Sequence, residues 1–213
     1  MSEWPMEHAW KACVRENEPR VRIPPSPPGM IVGLLAFPSL ALAHPGHGIA
    51  NFASGFLHPF SGLDHLLAMI AVGLWAVQSK GKALWGLPLA FIGSMTMGGM
   101  LSFADIQLAG VESMIISSSL ILGLLVTKKT KISPWTGMGI VSFFALFHGY
   151  AHGAELGVQT LTSTTAGFVL STALLHLAGI GLGLIGKQWN EKTIQWAGVA
   201  TSMASVGIVF GLF

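Results

Sequence analysis

From position 62 onward the chain alternates between long apolar runs and short polar links. The runs occupy residues 62–79, 82–103, 110–127, 132–150, 166–186 and 192–213. A helix that crosses a bilayer needs roughly 20 mostly apolar residues, so the pattern predicts six transmembrane helices in one all-α, polytopic membrane domain. Two of the runs, the second with GSMTMGGM and the fifth with GIGLGLIG, are rich in small residues that let helix backbones approach closely in lipid.

The first 43 residues follow a different pattern. A polar, proline-rich stretch carrying Lys11, Arg15, Arg20 and Arg22 precedes a short apolar run, IVGLLAFPSLALA, that ends in Ala41-Leu42-Ala43. Basic region, short apolar run and small residues at the cleavage positions make up a secretory signal. Residues 1–43 are therefore expected to be a signal peptide with an extended polar start, and residues 44–213 the mature membrane domain beginning at His44. The alternative is an uncleaved first helix.

Composition agrees with a membrane protein: hydrophobic residues are 52% of the 213 and charged residues 9%, too few to give a water-soluble globule a polar surface. No basic patch interleaved with aromatics appears, which argues against nucleic-acid binding. Cys13 is the single cysteine and falls in the signal, so the mature domain has no thiol for a disulfide, a thiolate metal site or cysteine catalysis.

Charge supplies the orientation. All seven cationic side chains after the signal, Lys80, Lys82, Lys128, Lys129, Lys131, Lys187 and Lys192, lie in alternate links. The positive-inside rule makes those links cytoplasmic and puts the mature N-terminus outside. The expected location is the bacterial inner membrane, multi-pass, with a periplasmic N-terminus.

With that orientation, His44, His47, His58, His65, His148 and His152 gather on or near the outer face, together with Asp64 and Glu155. Ionisable groups at membrane depth are costly and tend to mark a pathway or site. In His58-Pro-Phe-Ser-Gly-Leu-Asp64-His65, His58 and His65 would share a helix face if the segment were continuous, but Pro59 and Gly62 favour a broken entrance, tolerated where it lines a cavity or is buried in protein. His148, His152 and Glu155, at i, i+4 and i+7, form one stripe of a helix. Gly149 and Gly153 make a small-residue stripe beside it. His176 lies mid-span, roughly 15 Å from either end, as an intermediate station or as a histidine bonded within the bundle. Met95, Met97 and Met100 read as adaptable filler. Imidazole with carboxylate suits Ni²⁺, Co²⁺ and Zn²⁺, whereas Cu(I) prefers sulfur.

The segments GFLHPFSGLDHLLAMIAVGLWA, from Gly55 to Ala76, and FFALFHGYAHGAELG, from Phe143 to Gly157, resemble the two signature segments of the HupE/UreJ family of nickel and cobalt permeases. HPGHG at His44 and TALLH ending at His176 are similar as well. The resemblance implies a metal-uptake membrane protein linked to hydrogenase or urease maturation, with His58, Asp64, His65, His148, His152 and Glu155 as its important residues.

These readings predict uptake of Ni²⁺ or Co²⁺ as transported ion, with no prosthetic group. His44 and His47 capture the cation, Asp64, His58 and His65 strip its water, His148, His152 and Glu155 complete the entry site, and His176 relays it. Protons compete for the same nitrogens, so uptake is expected to weaken as the outer pH falls below about 6. No phosphate-binding loop occurs, so this chain hydrolyses no ATP. The rivals are an intramembrane metalloenzyme, which lacks an HExxH arrangement, and a membrane metal chaperone or sensor.

Overall fold

The computed structural model describes residues 51–104, 106–156 and 161–212, less the side chains at 155, 156, 161, 162 and 191. The expected signal peptide, His44 and His47 lie outside these described residues. The described chain is all helix and loop, with no strand: α1 Phe52–Ser61, α2 Leu63–Ser79, α3 Ala83–Ser102, α4 Val111–Thr127, α5 Pro134–Leu156, α6 Leu161–Trp189 and α7 Glu191–Val209.

Helices α2 to α7 fall on the six apolar runs. Their ends move most at α5, which runs on past Tyr150 to Leu156, and at α6, which starts at Leu161. Two helices are by themselves long and apolar enough to cross a membrane, α3 and the Ser163–Trp189 part of α6. Helices α1 and α2 meet that test together but bend by 86° between them, and α4 is apolar but short, at 17 residues. Large apolar side chains are exposed on the outer faces of α3 to α7, among them Leu89, Leu124, Phe143, Leu182 and Met203. Such surface is a liability in water and suits lipid.

The bend has a local cause. Asn51 caps α1 in a reciprocal pair with Ser54, its side chain accepting from the Ser54 backbone N–H and the Ser54 hydroxyl accepting from the Asn51 N–H, each at 2.9 Å. Pro59 is accommodated inside α1, and the break comes three residues later at Gly62, whose backbone is extended at φ −101°, ψ 118°. A Cβ there would come within 2.8 Å of Asp64 Oδ1 and 3.0 Å of His65 Nδ1, so the glycine lets those side chains fold back over the break.

Helix α2 is buried on all sides from Ala68 to Val77 and packs on α6, α4 and α3. It is the centre of the bundle, and Met69, Trp75, Leu87 and Phe91 fill the core around it. Glycines set the closest approaches: a Cβ on Gly179 of α6 would stand 2.3 Å from the Ile70 carbonyl oxygen of α2.

The lysine-bearing ends converge. Gln78 Nε2 donates to the Val126 carbonyl (2.9 Å), Trp75 Nε1 to that of Thr130 (3.5 Å) and Gln195 Nε2 to that of Thr127 (3.1 Å), tying the end of α2 and the start of α7 to the end of α4. Exposed Trp85, Trp135, Trp189 and Trp196 lie at the same end. Tryptophan beside lysine is the composition of a membrane–water interface.

Candidate metal centre

At the opposite end, three helices bring four histidines together. The bend turns α1 so that the His58 ring lies 6.3 Å from that of His65 on α2 and 4.8 Å from that of His152 on α5. His65 in turn lies 5.0 Å from His148 and 4.8 Å from His152. Phe168 of α6 walls the group, 4.3 Å from His152 and 5.2 Å from His58.

The one-face spacing on α5 delivers His148 and His152 as expected, and the neighbouring glycine stripe shows how. Gly149 seats directly on the Met95 backbone of α3 and Gly153 on that of Gly99, where an added Cβ would stand 1.8 Å and 2.6 Å from the respective carbonyl oxygens. Backbone-to-backbone contact in lipid fixes α5 in both height and rotation.

Hydrogen bonds assign the ring nitrogens. His148 Nδ1 lies 3.0 Å from the Phe144 carbonyl oxygen, which can only accept, so Nδ1 carries the proton and Nε2 keeps its lone pair. His65 Nδ1 lies 2.8 Å from Asp64 Oδ1, and the same carboxylate oxygen accepts from the His65 backbone N–H at 2.8 Å. A carboxylate behind an imidazole is the arrangement that orients a metal-binding histidine and raises its basicity.

The opposite nitrogens have no protein partner. His65 Nε2, His148 Nε2 and both ring nitrogens of His152 and of His176 are buried without a hydrogen bond. Each such atom costs about 1–3 kcal/mol, which is out of character for packing residues. Three of the four ring pairs meet edge to face and His65 with His152 is tilted at 44°, however, and among the described residues no three His, Cys, Asp or Glu side chains converge on one ion position. Coordination at the roughly 2.0–2.1 Å of a metal–imidazole bond therefore requires the rings to turn.

His176 is not part of the group of four. Its ring lies 5.1 Å from Phe91, which lies 5.4 Å from His148. Glu155 follows on α5 as predicted, but its side chain is outside the described residues. Sequence reasoning missed both Phe91 and Phe168, and a phenylalanine inside an apolar run gives no signal. Met95, read as filler, accepts from the Thr172 hydroxyl at 3.7 Å and, with Met100, Gly99, Phe168 and His152, lines a cavity of about 70 Å³.

The profile of the family described as HupE / UreJ protein matches residues 32–210. Protein HupE of Rhizobium leguminosarum bv. viciae is 42% identical over 180 residues, covering 83% of this chain and 94% of that protein. No solved structure matches the chain. On the extent of the family match and the identity to a full-length relative, this membrane protein belongs to the HupE/UreJ family.

Proposed function

We propose that this chain is an uptake permease for a divalent transition metal, nickel or cobalt, in the bacterial inner membrane. Six spans, α2 to α7, follow a signal peptide cleaved after Ala43, the lysine end faces the cytoplasm and the histidine end faces outward. One observation carries this reading: four histidines from three helices meet at the end away from the lysines, and three of them, His65, His148 and His152, hold buried ring nitrogens that have no protein partner.

His44 and His47 collect the hydrated ion at the mature N-terminus. Asp64 holds the His65 Nδ1–H so that Nε2 faces the ion as a neutral ligand. His58, His148 and His152 replace further waters as their rings turn, with Glu155 adding negative charge, and the ion moves on to His176. Nitrogen and oxygen ligands suit borderline ions, and the lack of a thiolate disfavours softer ones. The delivered ion would serve maturation of a hydrogenase or a urease, as the family resemblance implies.

The test is uptake of radiolabelled nickel by cells or proteoliposomes carrying His65→Ala or His152→Ala. Loss of about tenfold or more in either variant is expected, since single site-orienting groups are worth 10–100-fold. Wild-type uptake in both variants would sink the assignment.

A further inference from the structure

Phe91 is wholly buried on α3 and touches both His148 of α5 and His176 of α6. His148 is the innermost member of the outer group by its contact with Phe91, and it offers Nε2 as a lone pair. His176, which meets the same ring, has both nitrogens unpartnered. Both rings meet Phe91 at steep angles, 64° and 83°.

The helices on either side are fixed at this level. One turn outward of Phe91 and of His176, the Met95 thioether accepts from the Thr172 hydroxyl, joining α3 to α6. Gly149 seats α5 on α3 just beyond. An ion handed from His148 to His176 would pass the Phe91 ring that both histidines touch.

Resting on the permease reading above, we propose that Phe91 is a specificity-determining residue: an aromatic barrier that admits only ions which have exchanged water for imidazole. The ring presents no lone pair to replace a lost water, and its attraction for a cation is worth about 0.5–2 kcal/mol, small against the hydration of a divalent ion. A hydrophobic constriction excludes what stays hydrated. Nickel and cobalt take imidazole readily and are handed between histidines on the two sides. Magnesium, which dehydrates reluctantly and prefers oxygen, is held back.

The experiment uses the full mature protein, wild type, Phe91→Leu and Phe91→Trp. Ni²⁺ and Mg²⁺ flux are measured in proteoliposomes, Ni²⁺ binding in detergent, and diethylpyrocarbonate modification of His176 by mass spectrometry. In Phe91→Leu, nickel binding is expected within about twofold of wild type, the Ni²⁺-to-Mg²⁺ flux ratio down by about tenfold and His176 modified faster, because a smaller side chain opens the constriction. In Phe91→Trp, binding is expected to persist while nickel flux falls by about tenfold as the constriction narrows. A wild type that carries no divalent ion overturns the permease reading. A wild type that carries nickel, with Phe91→Leu unchanged in flux ratio and His176 labelling, overturns the barrier alone. Loss of nickel binding in Phe91→Leu also overturns it, in favour of a packing role.

Discussion

Gly149→Ala places a methyl group where the structure has none to spare. Its Cβ would stand 1.8 Å from the Met95 carbonyl oxygen, 2.6 Å from its carbon and 2.9 Å from its Cα, all backbone atoms of a helix that cannot turn aside as a side chain would. Restoring ordinary contact needs α5 to retreat from α3 by about 1.5 Å, a strain in the overpacking range of roughly 1–3 kcal/mol. Alanine's better helix propensity returns about 1 kcal/mol of this, so the loss of stability is modest. The site suffers more. His148 immediately precedes Gly149 and His152 follows one turn later, so both rings move with the helix away from His65. Functional constellations tolerate only about 0.5 Å of displacement, and nickel affinity should fall by about tenfold or more. The control is Gly139→Ala, on the same helix, where an added Cβ meets nothing within 4 Å and only the helix propensity acts. Nickel titration and thermal unfolding of the two purified variants separate the effects. Equal nickel affinity in Gly149→Ala and Gly139→Ala would refute the claim that the α3–α5 contact positions the histidines.

Asp64→Ala frees the His65 ring and should lower nickel affinity by about 10–100-fold, whereas Asp64→Asn, whose amide oxygen still accepts from Nδ1–H, should lose less; calorimetric titration of both decides whether orientation or charge matters. Asn51→Ala removes the cap of α1 at a cost of about 1 kcal/mol, so hydrogen exchange should quicken about fivefold in α1 and not in α2. His152→Leu removes two buried, unpartnered nitrogens, so without metal the variant should melt above the wild type, while the upward shift that saturating nickel gives the wild type, about 2.7 kcal/mol at a hundredfold excess over Kd, should disappear.

What was legible in the sequence is what depends on one helix at a time. Hydropathy located α2 to α7, and the lysines in alternate links anticipated that the ends of α2 and α4 and the start of α7 meet at one end of the bundle, as the Gln78, Trp75 and Gln195 hydrogen bonds tie them. The i, i+4 spacing of His148 and His152 gave their shared face. What depends on contacts between helices was not legible. Pro59 and Gly62 announced a break between His58 and His65, as found, but not its 86° angle, which follows from an extended Gly62 packed under Asp64 and His65. The stripe of Gly149 and Gly153 announced a close neighbour without naming α3. His176 was visible as a histidine in an apolar run, but the ring that touches both it and His148 was one phenylalanine among twelve in the chain.

In the proposed permease, the two halves of the bundle would divide the physical requirements of carrying an ion through lipid. The lysine half is closed by Trp75, Leu87, Val141 and Val77, all buried apolar groups with their few polar atoms hydrogen-bonded across helices, apart from the Gln78 carbonyl oxygen. The histidine half holds its nitrogens in reserve: Asp64 and the Phe144 carbonyl each engage one Nδ1, and that engagement is what leaves a lone pair on the opposite nitrogen. A buried nitrogen without a partner is destabilising, and such atoms persist only where the surrounding fold supplies the difference. Here the supply is the glycine-to-backbone packing of α3 on α5 and of α2 on α6, which involves no titratable group and so is unaffected when an ion binds or leaves. An ion exchanging water for these imidazoles relieves the nitrogens it meets at each step, and the same logic forbids any one site from satisfying them all at once. In the proposed permease, four rings that touch without converging, and a fifth against Phe91, would bind an ion well enough to dehydrate it and loosely enough to release it.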